Sequence, residues 1–327
     1  MPIVVNTNSA ATTASFNLSK NAEALRKSLA RLSSGKRITN PAEDAGGMAV
    51  AYKLSSHARR TEAVLNNHQN ALSYLQVQDG ALETVGKVVN RMAELRTMAA
   101  DITKNTSDVE NYSKEFRELQ SQLSQIQREK FNGISLFAIS SGATNQGTLN
   151  TKAENDFEFL DQTGATHAAT ADYKSFSREL LTHPSGLSND GSISLNVTNL
   201  TFVLSIGNMA GGVTGANLLG DKNTGTGITD NIIDDISSVS IFQFTHVIEK
   251  IADARAENGA EQQRIQQSYE LHQTNLVNIE AAHGRIMDVD VAMESTRFAK
   301  NNVLVQASAS MTAQANQLSN IALTLLQ

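Results

Sequence analysis

The chain of 327 residues has no cysteine and no tryptophan, 3 prolines, and only 5% aromatic residues. Without thiols there is no disulfide, no thiolate metal site and no cysteine nucleophile. Long apolar runs are missing as well: no stretch approaches the roughly 18 residues that a membrane-spanning helix requires. The segment from Met1 to Ser19 has neither a basic start nor a long apolar core. It is therefore not a Sec-type signal peptide, and the chain is expected to be soluble or to be exported by another route. Positive charge is also in short supply, with Lys+Arg 27 against Asp+Glu 33 and a net charge of -6. No basic field exists to condense on nucleic acid or an anionic membrane, so neither is expected as a partner.

What is present falls into two ends of one character around a middle of another. Residues 140–240 hold 12 of the 20 glycines and are rich in Ser and Thr. Within them, Ser192 to Val197 and then Leu200 to Leu204 alternate apolar and polar residues, which reads as two strands. The middle is thus a small β-containing insert or surface module, or else a partly disordered linker.

Both flanks read as helix. Leu75, Leu82, Val85, Val89 and Met92 follow the three-four spacing of a helical seam, and so do Ile265, Tyr269, His272, Leu276, Ile279, His283 and Ile286. Two such seams bury each other if the chain folds back, giving a mainly α, elongated antiparallel coiled-coil rod. A helix from Gly46 to Met98 would be roughly 80 Å long at about 1.5 Å per residue. His272 and His283 stand about 16 Å apart on such a helix, too far to share one ion, and are expected to be ordinary seam residues. There is no GxSxG, no phosphate loop and no dense His/Asp/Glu cluster, so no catalytic, cofactor-binding or metal-binding residue is expected.

The extreme ends carry the strongest signal. Residues 1–19 and 301–327 contain no Asp, Glu, Lys or Arg. Each nevertheless has a helical stripe, through Leu18, Leu25, Leu29 and Leu32 at the front and Leu304, Met311, Leu318 and Leu325 at the back. A solvated helix normally charges its outer face. These two either pack into their own domain or are prepared for burial among other chains.

At this point the motifs resemble those of a known family. Leu32-Ser33-Ser34-Gly35-Lys36-Arg37-Ile38 with Ala42, Asp44, Ala45 and Gly46 resembles the N-terminal signature of bacterial flagellin. Leu75-Gln76, Asp79-Gly80-Ala81-Leu82 and Phe131-Asn132-Gly133 look like its later landmarks. At the far end, Arg285 to Ala292, Lys300-Asn301-Asn302-Val303-Leu304 and Ala313-Gln314-Ala315-Asn316-Gln317 are similar to its C-terminal signature. The resemblance covers about 1–139 and 241–327.

The resemblance implies a structural subunit, not an enzyme, that is exported through the flagellar type III apparatus and polymerises into the extracellular filament. Residues 1–34 and 290–327 would be terminal helices of the inner filament core, and 35–46 a linker. The rod would comprise 47–139 and 241–289, with 140–240 as the variable outer domain. Implied partners are further copies of the chain, an export chaperone, the filament cap and hook-associated proteins. An animal innate immune receptor would read the region of Arg91 and Leu95 with an acidic residue of the next helix. Ungapped counting from Phe131 puts Lys114 at that position and Glu115 one place off. The alternative function is that of a hook-filament junction protein, which shares the terminal helices but builds no long polymer.

Overall fold

The structure is a computed structural model that describes residues 8–138, 150–154, 158–160, 166–168, 173–207, 216–219 and 233–325. It divides into two compact units, Met1–Arg60 with Thr274–Gln327 and Thr61–Gln273. The long helices are α1 (Ser9–Ser34), α2 (Ala45–Ala99), α3 (Thr106–Gln127), α5 (Ile241–Met287) and α6 (Val291–Leu325). Between α3 and α5 the described residues form short strands and three short helical turns, so the chain is mainly α with a β-containing middle, as its composition implies.

In the unit Thr61–Gln273, α2 and α5 run antiparallel. His68 meets Ser268 at 2.9 Å, Gln78 meets Asn258 at 2.8 Å, Asp79 meets Arg255 at 2.9 Å, and Arg96 reaches the Val239 carbonyl at 2.6 Å. One index falls as the other rises. Leu75, Leu82, Val85, Val89 and Met92 are all wholly buried, which matches their periodicity. Their partners, however, are not the residues 265–286. The antiparallel register sets 75–92 against Phe244, Val247 and Ile251, all buried, whereas of the later seam only Ile265 is fully buried in this unit. Periodicity defines a face but carries no register, because each buried polar pair that fixes it joins residues far apart in sequence.

Helix α3 closes the seam with Phe116, whose ring packs edge-on against Phe244 at 6.2 Å. It starts with a reciprocal cap, Asn105 accepting from the Asp108 N–H and Asp108 from the Asn105 N–H. The Asn132-Gly133 pair, both residues at positive φ, turns the hairpin β1 (Lys130–Phe131) to β2 (Ile134–Ser135).

The middle segment is not separable from this core. Strand β6 (Tyr173–Leu181) lies between β3 (Asn150–Glu154) and β7 (Ser192–Val197), all antiparallel. Two further pairs are β4 (Glu158–Leu160) with β5 (Thr166–Ala168) and β8 (Ser205–Gly207) with β9 (Ala216–Asn217). Ile193, Leu195, Leu204, Ile206, Leu218 and Ile236 are buried in the same cluster as the α2 seam. The strand expected over Leu200 to Leu204 is instead a helical turn, α4 (Leu200–Val203). Asn199 explains the change: its side chain accepts the Phe202 N–H, a helix cap that outweighs local alternation. The other glycines and serines of the middle, including Gly211, Gly212 and Gly215, lie largely outside the described residues.

Candidate assembly interface

In the other unit, α1 lies antiparallel to α6. Asn8 begins α1 by accepting the Ala11 N–H, and its amide also donates to the Ala315 carbonyl at 2.8 Å. Asn21 donates to Ser308 at 2.8 Å and Asn301 to Ser28 at 3.4 Å. The line of contact is small and polar: Ser28 and Ala315 are buried there, with Val305, Ser308 and Thr312 half-buried.

Large apolar side chains divide between this line, which Leu18, Leu25 and Leu32 share with Asn21 and Ser28, and the solvent side. Leu18, Leu25 and Leu32 are half-buried, whereas Leu29 is 56% exposed. On α6, Leu304 is 37% exposed and Met311 65%, alongside Val303 at 65%, and Phe16 on α1 reaches 69%. The side chains of Leu318 and Leu325 lie outside the described residues, although the helix continues through both positions. Of the stripe read from the sequence, Leu18, Leu25 and Leu32 thus lie along the α1–α6 line with its small residues, and Leu29, Leu304 and Met311 lie outside it. Phe16, Leu29, Val303 and Met311 are thus exposed apolar side chains on two helices that carry no charged residue over 8–19 and 301–317.

The junction that joins these helices is built with care. Gly35 ends α1 at φ 69°, a left-handed position that a β-carbon would strain. The chain then pairs with the break between α5 and α6: Arg37 N–H donates to the Met287 carbonyl at 2.6 Å, and Val289 N–H donates to that of Gly35 at 3.1 Å. Asp44 accepts the Gly47 N–H at 2.8 Å at the start of α2, and a β-carbon on Gly47 would collide with that carboxylate. Asp290 caps α6 in the same way through the Ala292 and Met293 N–H groups. Ile38 packs against Ala51 and Met287 beneath this crossing.

Charge concentrates beside it. Glu43 receives Lys27 at 2.9 Å and Arg31 at 3.2 Å, and Arg31 also faces Glu294 at 3.8 Å, with Arg297 at 3.3 Å from the same carboxylate. Burial works to raise the Glu43 carboxyl, but hydrogen bonds from Lys27, Arg31 and the Thr39 N–H outweigh it and hold the group below its usual range. Glu294 is 3% exposed. Sequence reasoning passed over Glu294, yet it had a signal: it is the one carboxylate in residues 291–327.

The residues expected at a receptor surface separate. Arg91 pairs with Glu115 at 2.9 Å and with Glu94 at 3.1 Å on exposed helix faces. Lys114 instead reaches Glu110 at 3.6 Å. Leu95 is wholly buried in the seam, so its side chain is not part of that surface. It continues the three-four spacing of the buried Val88 and Met92. Among the described residues no group of three or more His, Cys, Asp and Glu is arranged to hold a metal, and no helix is long and apolar enough to cross a membrane.

Comparison with known proteins agrees with this layout. Residues 5–141 match the bacterial flagellin N-terminal helical region, and residues 243–326 the bacterial flagellin C-terminal helical region. A flagellin of Bacillus subtilis is 30% identical over 327 residues, covering 99% of each chain. The flagellar filament 33 kDa core protein of Treponema phagedenis is 28% identical over 329 residues, covering 99% of this chain and 100% of its own. Among solved structures, a Vibrio parahaemolyticus protein described as flagellar hook-associated superposes with a TM-score of 0.52 over 75% of this chain and 100% of its own. At 16% identity it shows a shared fold alone.

Proposed function

The chain belongs to the bacterial flagellin family, and from that premise we propose that it polymerises through the open faces of α1 and α6. As a flagellin it is a structural subunit of the extracellular flagellar filament. The observation that supports the proposed interface is the exposure of Phe16, Leu29, Val303 and Met311 on two paired helices that carry no charged residue over 8–19 and 301–317. Burying such side chains stabilises by about 1.5–3 kcal/mol each, a gain a lone subunit forgoes and a neighbour realises. Leu18, Leu25, Leu32, Leu304, Leu318 and Leu325 complete the inner core in this reading. Residues 1–34 and 290–327 form its helices, 35–46 links them to the rod of 47–139 and 241–289, and 140–240 faces outward.

The chain acts by surface complementarity and is assigned no catalytic step. Its other partners are an export chaperone, the filament cap and hook-associated proteins. An animal innate immune receptor would meet the Arg91–Glu115 pair as a joined charge pair, with Leu95 contributing only by shaping the helix beneath. Electron microscopy of purified protein under polymerising conditions tests the reading. Long helical tubes are expected, while short or absent polymer favours a hook-filament junction role. Replacing Phe16 and Met311 together by Asp should abolish the tubes; intact tubes from that variant would remove these faces from the interface.

A further inference from the structure

The net charge of -6 conceals a division between the two units. The unit Met1–Arg60 with Thr274–Gln327 holds 12 Lys+Arg against 7 Asp+Glu, whereas Thr61–Gln273 holds 15 against 26. One body is thus +5 and the other -11. The positive charge is concentrated further, because 9 of those 12 basic residues lie between Lys20 and Arg60. Lys20 is also the first charge after the uncharged start of the chain, and Lys300 the last before its uncharged tail. Lys27, Arg31 and Arg297 are neutralised by Glu43 and Glu294. Lys20, Arg26, Lys53, Arg59 and Lys300 are exposed, and among the described residues none of these five pairs with a carboxylate.

The acidic unit shows the matching excess. Glu249, Asp253 and Glu257 recur every four residues on the exposed face of α5. Like charges at that spacing destabilise an isolated helix. Arg255, which stands among them in sequence, turns instead to Asp79 at 2.9 Å and Glu83 at 4.0 Å on α2. The repulsion along α5 is relieved when a positive surface covers it.

We infer that the two surfaces meet between copies: the basic surface of residues 20–60 on one subunit takes the acidic unit Thr61–Gln273 of a neighbouring subunit as its partner. The inference rests on the reading of the chain as a polymerising subunit and adds an electrostatic contact to the apolar one. The partner is a second copy because the complementary charge is carried by the chain itself, in a different unit. A contact between two different patches repeats from copy to copy, and where the rotation does not close it gives a helical filament. Uncharged apolar faces exert no long-range force, whereas opposite charges speed encounter and disfavour wrong pairings.

Elongation of the full-length chain from sheared filament seeds, followed by light scattering, tests the steering. Between about 10 mM and about 0.15 M NaCl the screening length falls from about 30 Å to about 8 Å, and wild-type elongation should slow at least about tenfold. A subunit that only repels its copies through its net negative charge would speed up, and that result overturns the inference. K20E/R26E/K53E/R59E changes the basic unit from +5 to -3. All four positions are exposed, so monomer melting should be unchanged. The variant should add to wild-type seeds at least about tenfold more slowly at low salt and lose most of that difference at about 0.15 M. Wild-type rates at low salt overturn the inference.

Contact between copies is read on filaments assembled from a mixture of light-nitrogen and heavy-nitrogen chains and treated with a carbodiimide. The reagent activates a carboxylate, and a touching lysine amine displaces the resulting urea to form an amide. Amides of mixed isotope should join Lys20, Lys53 or Lys300 to carboxylates of residues 61–273. Intact filaments without such mixed amides overturn the inference and leave polymerisation standing. Absence of polymer at every salt concentration removes the polymerisation reading itself, and the inference with it.

Discussion

The two antiparallel helix pairs of this molecule use opposite solutions to the same problem. In the pair α2–α5, Leu75, Leu82, Val85, Val89 and Met92 are wholly buried within one chain. In the pair α1–α6, the buried residues among those described are Ser28, Glu294 and Ala315, and Phe16, Val303 and Met311 remain 65–69% exposed. The first pair buries a continuous apolar seam within one chain, although Phe242 and Leu271 stay 65% and 59% exposed, and the second buries no large apolar side chain among the residues described. A folded unit that carries an unfinished surface is what a polymer subunit requires: it survives alone, and it gains by joining its copies.

Deletions give the largest contrast. Removing 301–327 should abolish filaments and leave the melting of the unit Thr61–Gln273 unchanged, since none of that unit's buried residues belongs to the tail. Removing 140–240 should do the reverse damage and prevent cooperative folding. Eleven residues of the shared core come from that segment. At about 1.5–3 kcal/mol for each buried side chain, their loss exceeds a typical domain's stability of about 5–15 kcal/mol. Calorimetry of secreted subunits, with microscopy of cells lacking their own flagellin, measures both. A folded, assembling protein without 140–240 would show that the middle is a detachable module after all.

Point substitutions make the same contrast on a smaller scale. Met92→Ala should cost about 2–5 kcal/mol in denaturant unfolding of the monomer, by emptying a buried site. Met311→Asp should leave that unfolding within about 0.5 kcal/mol, as exposed substitutions do, yet shorten or eliminate filaments, because an unpaired carboxylate would be buried at every subunit. Equal loss of monomer stability in the two variants would contradict the division.

The smallest effect concerns pH. Glu43 is held below its ordinary 4.5 by Lys27 and Arg31, so its contribution is present above 4.5 and is lost as pH falls through the lowered value. Wild-type filaments should loosen in acid below that point, and Glu43→Gln filaments should be weaker at neutral pH but less sensitive to acidification. Light scattering across pH 3–6 follows both. Identical acid midpoints in the two proteins would show that Glu43 has no part in it.

Much of this was legible in the sequence. A helix expected from Gly46 to Met98 is found at Ala45–Ala99, because the capping Asp44 and the glycines beside it are local signals. The uncharged ends were visible in composition. Three things were not. The seam register depends on Gln78–Asn258 and Asp79–Arg255, contacts between residues far apart in the chain. The turn at Leu200–Val203 depends on one asparagine overriding alternation. The inward face of α6 runs through Val305, Ser308, Thr312 and Ala315, mostly small residues, and a search for large apolar residues picks Leu304 and Met311 on its flank.

Amide exchange on a verified monomer compares the two helix pairs in one measurement. Amides at 75–95 and 244–258 should exchange only through global unfolding of their unit, whereas those of α1 and of 301–325 should exchange orders of magnitude faster, through local opening of a pair with little buried apolar surface. Strong protection of 301–325 in a monomer whose size has been confirmed would mean that α1 and α6 complete themselves, and that the filament does not depend on their open faces.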